Sequence, residues 1–369
     1  MHYVELHCHS NYSFKEGASS VEELLMIAKN LEYPALGLTD HDNLCGAMEF
    51  SRVANSIGVK PITGAEITME DGSHITLLVE NRSGYSNLCN LITYSRVGSG
   101  THRLRPRLSW KFFEKHANGL ILLTGCSKGN IPKLIVGGRS TDAEIELRKY
   151  LDWFGGRNVF VELQQNRVYG DTLRNRGLVS LARENNVGVV ATNNVHYHVR
   201  DRHQLHDALV SIKNNKTLAT SHVERRPNAN FYLKSSYEMS QLFKHYPEAI
   251  DNTVAIADRC VFNLKEDLGY KLPDYRVPHG YTTQSYLEYI CTKAAVRKYG
   301  DCQDIVKERL REEFRLIELH GLAGFFLIYY DIIQIARQVM IDLGLNDVET
   351  PLEVRPPGRG RGSSVAMLV

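Results

Sequence analysis

Short apolar runs rich in β-branched residues recur through the first two hundred residues, and no other feature constrains the fold as much. They are Tyr3–Leu6, Ala35–Thr39, Lys60–Thr63 running on to Ile67, His74–Glu80, Gly119–Thr124, Asn158–Leu163 and Gly188–Thr192. Between most of them lie stretches with helical spacing. In Val21–Leu31 the residues Leu24, Leu25, Ala28 and Leu31 share one face, with Ser19 and Ser20 as cap candidates and Glu22 and Glu23 in the first turn. Leu44–Ser56, Tyr85–Arg96, Ser109–Lys115, Thr141–Phe154 and Thr172–Asn185 read the same way. Strands alternating with helices predict an α/β fold with a parallel sheet. A (β/α)7 barrel is favoured slightly over an open doubly wound sheet. Beyond residue 200 the strand signals thin out. Asp201–Asn214, Ser236–His245, Pro247–Cys260, Ser285–Tyr299, Ile305–His320 and Gly324–Leu343 read as helices, so a mostly helical C-terminal segment is expected.

A length of 369 residues suits two or three domains. The segment Gly269–Gly280, rich in proline and turn residues, reads as a linker, which sets the expected domains at 1–268 and 283–369 with a linker over 269–282. Lys plus Arg total 44 and Asp plus Glu total 42, so the net charge is only +2, which excludes a polycationic protein but not local basic patches. Seven cysteines without a CxxC pair argue for a reducing compartment. The N-terminus carries no secretory pattern. The apolar run Leu322–Ala336 contains Asp331 and is shorter than the roughly 20 residues of a bilayer span. A cytoplasmic protein without a membrane partner is the expectation. The apolar run starting at Val365 ends with the chain at Val369, which reads as a truncated domain.

Metal-ligand residue types collect at the strand ends. His7 and His9 follow the first run, with Glu16 just beyond. His41 follows the second, Glu66 lies on the third, His74 opens the fourth, Cys126 closes the fifth and His196 follows the last. In His-x-His the period of two puts both imidazoles on one side. The carboxyl ends of the strands form the working face of a parallel barrel, and His74, at a strand start, departs from that rule. Mixed N, O and S ligands suit zinc, or manganese or iron for part of the site. Two or three close ions suit phosphoester hydrolysis, because they acidify water and neutralise phosphoryl oxygens. Singly, each residue has an ordinary reading: a loop His or Asp, a buried Cys, a salt-bridging Glu. The joint placement carries the argument. His198, His203 and His206 continue into a polar helix and read as surface or helix-packing residues.

These segments resemble the PHP (polymerase and histidinol phosphatase) family. The resemblance rests on Leu6-His7-Cys8-His9-Ser10 with Tyr12-Ser13 and Glu16-Gly17-Ala18, on Leu38-Thr39-Asp40-His41-Asp42-Asn43, on Gly64-Ala65-Glu66, and on Ala191-Thr192-Asn193-Asn194-Val195-His196-Tyr197. Over essentially its whole length the chain is similar to the N-terminus of bacterial DNA polymerase III alpha subunits (family C). Arg226–Leu233 and Leu268–Tyr275 resemble the error-prone branch most, which implies DNA repair and translesion synthesis. The resemblance implies up to three Zn2+ or Mn2+ ions. One would use His7, His9, Glu66 and Asn194; a second Glu66, His74 and Cys126; a third Glu16, His41 and His196. Asn194 stands where active members usually carry Asp, and Glu16 where Asp is commoner. The implied activity is a 3′-to-5′ exonuclease or related phosphoesterase, or a degenerate structural site.

The string Pro356–Ser364 is the second motif. Glycines expose backbone N–H groups, arginines bind phosphate bidentately and serines add donors. In the family context Gly360, Arg361, Gly362, Ser363 and Ser364 resemble the palm loop that contacts a nucleotide triphosphate; alone, the string reads equally as a basic linker. The helix Gly324–Leu343, with Asp331, fits the palm's approach helix, and Asn346–Arg355 has no assignment. The palm's Asp-x-Asp carboxylates, which would hold two Mg2+ ions, have no candidate after the loop, so this chain alone is expected not to polymerise DNA. The implied partners are DNA and dNTP in a longer protein, with a sliding clamp or accessory polymerase proteins as further candidates. Arg96, His102, Arg103, Arg105 and Arg107 form a basic stretch that reads as a solvated loop more readily than a phosphate track. The competing functions are a free-standing PHP phosphatase for a small phosphate ester and a non-catalytic scaffold.

Overall fold

The computed structural model describes residues 2–97, 105–269, 272–300 and 304–344. Chain contacts divide it between Leu268 and Gly269 into two compact units.

Among the described residues, the first unit is built on a six-stranded sheet: β1 Ala35–Leu38, β2 Lys60–Thr68, β3 His74–Val79, β4 Leu120–Leu123, β5 Val159–Gln164 and β6 Gly188–Thr192, hydrogen-bonded in chain order. The first of the apolar runs supplies the missing segment. Glu5 bridges Leu36 of β1 and Cys8 bridges Val195 just past β6, both in parallel. Val195 N–H donates to His7 O at 2.9 Å and His9 N–H to Val195 O at 2.8 Å. The N-terminal segment thus joins the two edges of a curled sheet, so neither edge is left open for pairing.

The sheet is not wholly parallel. β1–β2, β4–β5 and β5–β6 pair in parallel, but β3 runs antiparallel to both β2 and β4. The reason is local. Only the short turn Met69–Ser73 separates β2 from β3, with Gly72 at φ +81°, and a parallel return needs a crossover of a dozen or more residues. The expectation of a parallel strand at His74 is therefore corrected. The reversal explains the exception noted above. His74 pairs with Thr68, the last residue of β2, so the start of β3 lies on the same rim as the carboxyl ends of the parallel strands.

Helices cover the sheet. Val21–Asn30 opens with a capping box in which Ser20 and Glu23 satisfy each other's backbone N–H groups, and it buries Val21, Leu24, Leu25 and Ala28. Ser235 and Glu238 cap Ser236–Leu242 in the same way. Asn130–Val136 and Leu264–Asp267 are helices that spacing did not signal, being too short to display a period.

The second unit packs helices Thr283–Tyr299, Asp304–Leu319 and Ala323–Asp342 around Leu287, Cys291, Ala295, Leu310, Ile317 and Leu327. The segment expected to be a linker is part of this core: Tyr275 and Val277 pack against it, and Tyr275 OH donates to Asp331 Oδ2 at 2.9 Å. Its prolines set the backbone course, while its apolar side chains still gain by burial. Gly324 permits the approach, since a Cβ there would lie 2.4 Å from Pro273 O. At 20 residues, Ala323–Asp342 is longer than the apolar run visible in sequence and, by length and composition alone, could cross a bilayer. Its buried residues Ala323, Gly324, Leu327 and Ile333 lie on one side of the helix.

Candidate metal centre

Four imidazoles converge on one carboxylate. Glu66 Oε1 lies 3.4 Å from His7 Nε2 and 3.2 Å from His74 Nδ1. Glu66 Oε2 lies 3.7 Å from His9 Nε2 and 3.2 Å from His41 Nδ1. His196 joins by stacking on His9, with ring centroids 4.6 Å apart, and His41 meets His74 edge-on at 4.6 Å. Strand geometry explains the convergence. His7 and His9 alternate with Leu6 and Cys8, while Glu66 on β2 pairs with Thr76 on β3, two residues beyond His74. Each ligand therefore projects from the same rim.

The outward nitrogen of three rings is tied down. His7 Nδ1 lies 2.6 Å from Glu162 Oε1, which also accepts from Gln164 Nε2 at 2.7 Å and from Thr192 Oγ1 at 2.5 Å. His9 Nδ1 meets Ser13 Oγ at 3.0 Å, and Ser13 gives its own proton to Asp40 at 2.6 Å. Asp40 also accepts from the backbone N–H and hydroxyl of Ser10. His41 Nε2 meets Thr68 Oγ1 at 2.6 Å, and Thr68 donates to Asp42. These contacts set ring orientation and tautomer, as supporting partners of metal-ligating histidines do.

The inward nitrogens face carboxylate. His7 Nε2, His9 Nε2, His41 Nδ1 and His74 Nδ1 are buried and approach the oxygens of Glu66, and for His41 also Glu16, without a well-formed hydrogen bond, and Asn194 Oδ1 is buried without one. Fourteen such atoms occur among the described residues, and four of them are the histidine nitrogens that converge on Glu66. Two sets, His7–His9–Glu66 and His41–Glu66–His74, each bring their ligand atoms within 4.8 Å of one another among the described residues. Three donors per set, neutral nitrogen plus carboxylate oxygen, suit a divalent ion. The residues present therefore fit the metals that the donor types imply.

Without a cation, protons balance the charge. Burial pushes the His7 imidazole down, but Glu162 and Glu66 outweigh it and hold its pKa at about 10. Burial likewise opposes protonation of His41, and the carboxylates of Asp42, Glu16 and Glu66 raise its pKa well above the ordinary value. Glu66 moves the opposite way: desolvation favours its neutral form, yet the surrounding imidazoles hold it well below the usual carboxylate range. His9 is lowered to about 3, chiefly by burial, so it presents a lone pair at neutral pH.

Cys126 lies 3.3 Å from Glu66 Oε1, and burial pushes its thiol up, with Glu66 adding to the effect. It borders the cluster without joining either tight set. Asn194 is left-handed at φ +47°, a conformation Asn adopts more readily than most residues. Glu16 reaches His41 Nδ1 at 3.0 Å, but its other oxygen contacts Lys213. The residues Gly360–Ser364, together with His102 and Arg103, lie outside the described residues. Arg96 reaches the backbone carbonyl of Asp42 at 2.7 Å instead of extending along a phosphate track.

Sequence reasoning missed the supporting carboxylates Glu162, Asp40 and Glu5. Glu5 is fully buried, bonded to Tyr3 OH and to the backbone N–H groups of His7 and Asn193, and burial raises its pKa to about 7. Its place at i−2 from His7, and that of Glu162 inside an apolar strand, are the only signals the chain offers. His206, expected at the surface or packed against a helix, is buried behind His196, ring centroids 5.3 Å apart, with its pKa lowered to about 4, mainly by burial.

Gly17 holds the loop that carries Glu16. A Cβ there would fall 1.8 Å from Ser10 O. Gly17→Ala should cost roughly 1–3 kcal/mol by forcing that turn apart. An unchanged urea midpoint would show that the turn is not so constrained.

Comparison with known proteins assigns the units. Residues 5–166 match the PHP domain, and residues 285–369 match the bacterial DNA polymerase III alpha NTPase domain. The chain carries a PHP domain followed by a segment of the DNA polymerase III alpha family. It is similar to the error-prone DNA polymerase of Symbiobacterium thermophilum, 37% identical over 353 residues, which covers 92% of this chain and 32% of that protein. It is also similar to the DNA polymerase III subunit alpha of Treponema pallidum, 34% identical over 379 residues, covering 99% of this chain and 31% of that one. The chain thus spans about a third of the length of these relatives. A solved two-domain protein from Bacteroides vulgatus, described as containing a predicted PHP-like metal-dependent phosphoesterase, aligns with a TM-score of 0.33 at 12% identity, over 58% of this chain and 56% of that one.

Proposed function

We propose that the first unit is a metal-dependent phosphoesterase that removes nucleotides from a DNA 3′ end, within a protein of the error-prone DNA polymerase type. The observation that carries this reading is the convergence of four buried imidazole nitrogens, none in a well-formed hydrogen bond, on the carboxylate of Glu66. His7, His9 and Glu66 would hold one ion, and His41, Glu66 and His74 another, with Asn194 and Cys126 as flanking donors. Ions bound there would supply Lewis acidity and neutralise phosphate charge. The chain's own contribution is orientation: Glu162 fixes His7, the Asp40–Ser13 pair fixes His9, and Thr68 with Asp42 fixes His41. The match of residues 285–369 to a polymerase family favours this reading over a free-standing phosphatase for small esters. Nucleotide binding by Gly360–Ser364 belongs to the same proposal, as do DNA and dNTP as partners and a palm that uses Mg2+ in the longer protein.

The test is nucleotide release from 3′-labelled single-stranded DNA by the purified chain loaded with Mn2+ or Zn2+. Release should stop with a chelator and with His9→Ala. If the metal-loaded protein hydrolyses nothing while a chelator still lowers its melting temperature, the centre is structural. Primer extension by the same 369-residue chain should be blank.

A further inference from the structure

The five imidazoles of the cluster are not equivalent. Four have an inward nitrogen with no hydrogen-bond partner. The fifth, His196, has none to spare. Its Nδ1 lies 2.9 Å from the backbone carbonyl of Glu16, to which it donates, and its Nε2 is in contact with Arg226 Nη2. An arginine has only donors, so the contact engages the one lone pair that a metal would need. Arg226 is held in place from behind, with its guanidinium 4.7 Å from the centroid of the Phe231 ring. Across the same corner, the carboxylate of Glu16 is engaged on one oxygen by Lys213 and on the other by His41. The two fixed cations thus meet the two residues, Glu16 and His196, that would have to bind a third ion with His41.

We infer that the Glu16–His196 corner is neutralised by the guanidinium of Arg226 and the ammonium of Lys213 in place of a third metal ion, leaving a two-ion centre around Glu66. This rests on the metal-binding reading proposed above and specifies where that reading stops. Hydrogen-bond chemistry supports it: with Nδ1 donating to the Glu16 carbonyl, Nε2 of His196 is the accepting nitrogen and meets the guanidinium, while both Glu16 oxygens are already engaged. A divalent ion added here would meet two like charges within the same shell, and at such distances that repulsion is weakly screened. Arg226 also lines a cavity of about 330 Å3 with His203, Asp207, His222 and Arg225.

The experiment is metal stoichiometry. The full chain is saturated with Mn2+, freed of excess by gel filtration and analysed for manganese per chain. About two ions are expected, one per three-ligand set. The double variant Arg226→Gln/Lys213→Ala, which removes both charges, should rise to about three. Lys213 is half exposed and Gln retains a donor toward His196, so the variant should fold, with circular dichroism as the check. If it does not fold, Lys213→Ala alone is used, with titration calorimetry as the readout: a third, weaker Mn2+ site is expected, and its absence overturns the inference. About three ions in the unaltered protein overturns this inference and leaves the metal reading intact. Two ions in the folded double variant also overturns it, because the cations would then not be what excludes the third. No retained ion in any form overturns the metal reading and this inference with it.

Discussion

Glu66→Gln should remove both ions at once. Glu66 belongs to each of the three-ligand sets, and each of its oxygens faces one histidine from either set: Oε1 faces His7 and His74, Oε2 faces His9 and His41. An amide offers one weak oxygen donor and turns its NH2 toward a pair of imidazoles. Loss of a mere supporting partner typically weakens a metal site by about 10–100-fold. Loss of a shared carboxylate ligand should exceed the upper end of that range at both positions. The metal-free protein should suffer as well. Its protonated imidazoles lose their central anion, and breaking a buried charge pair costs about 3–5 kcal/mol. Titration calorimetry with Mn2+ and thermal melts of the metal-free protein report the two effects separately. Retention of one tight ion by the variant would show that the sets do not share Glu66.

The pH dependence of stability should invert between metal-free and metal-loaded protein. In the metal-free state His7 carries a folded pKa of about 10 against an ordinary 6.5. A group whose pKa is raised on folding stabilises fully below its unfolded value and loses that contribution as pH rises through the folded value. His7 should therefore withdraw stability between about pH 6.5 and 10 in the metal-free protein, while Lys234, lowered to about 7 chiefly by burial, acts in the opposite sense with or without metal and so drops out of the comparison. Glu5, raised to about 7 from 4.5, also disfavours high pH, but its loss is complete near pH 7 and so falls in a separate window. Metal binding requires deprotonated imidazoles, so the loaded protein gains affinity as protons become scarcer. The melting-temperature gap between loaded and metal-free protein should widen from pH 7 to pH 10. Glu162→Gln should flatten the metal-free slope, because Glu162 is the strongest influence raising the His7 pKa. A gap that stays constant across that range would mean that His7 is not the proton-carrying ligand.

The chain itself determined a good deal here. Seven apolar runs predicted every strand of the closed sheet, including the N-terminal segment that joins its edges. Period-two alternation placed His7 and His9 on one side, and strand-end positions marked His41, Glu66 and His196, because a strand of fixed rise and alternating faces converts sequence spacing directly into direction. Helix caps at Ser20 and Ser235 are local hydrogen bonds and equally legible. What only the tertiary structure decided involves partners distant in sequence. The antiparallel course of β3 brought His74 to the ligand rim, a consequence of pairing and not of any residue type. Glu162, a charged residue inside an apolar strand, became the partner of a histidine 155 positions away. Tyr275 and Val277, in a stretch whose prolines suggested a linker, joined a core because helices around them offered apolar surface. Arg226 and Lys213 reached the Glu16–His196 corner from a segment that spacing left unassigned and from the end of a helix. Local periodicity sets which way a side chain points, but which charge it meets depends on how the sheet closes.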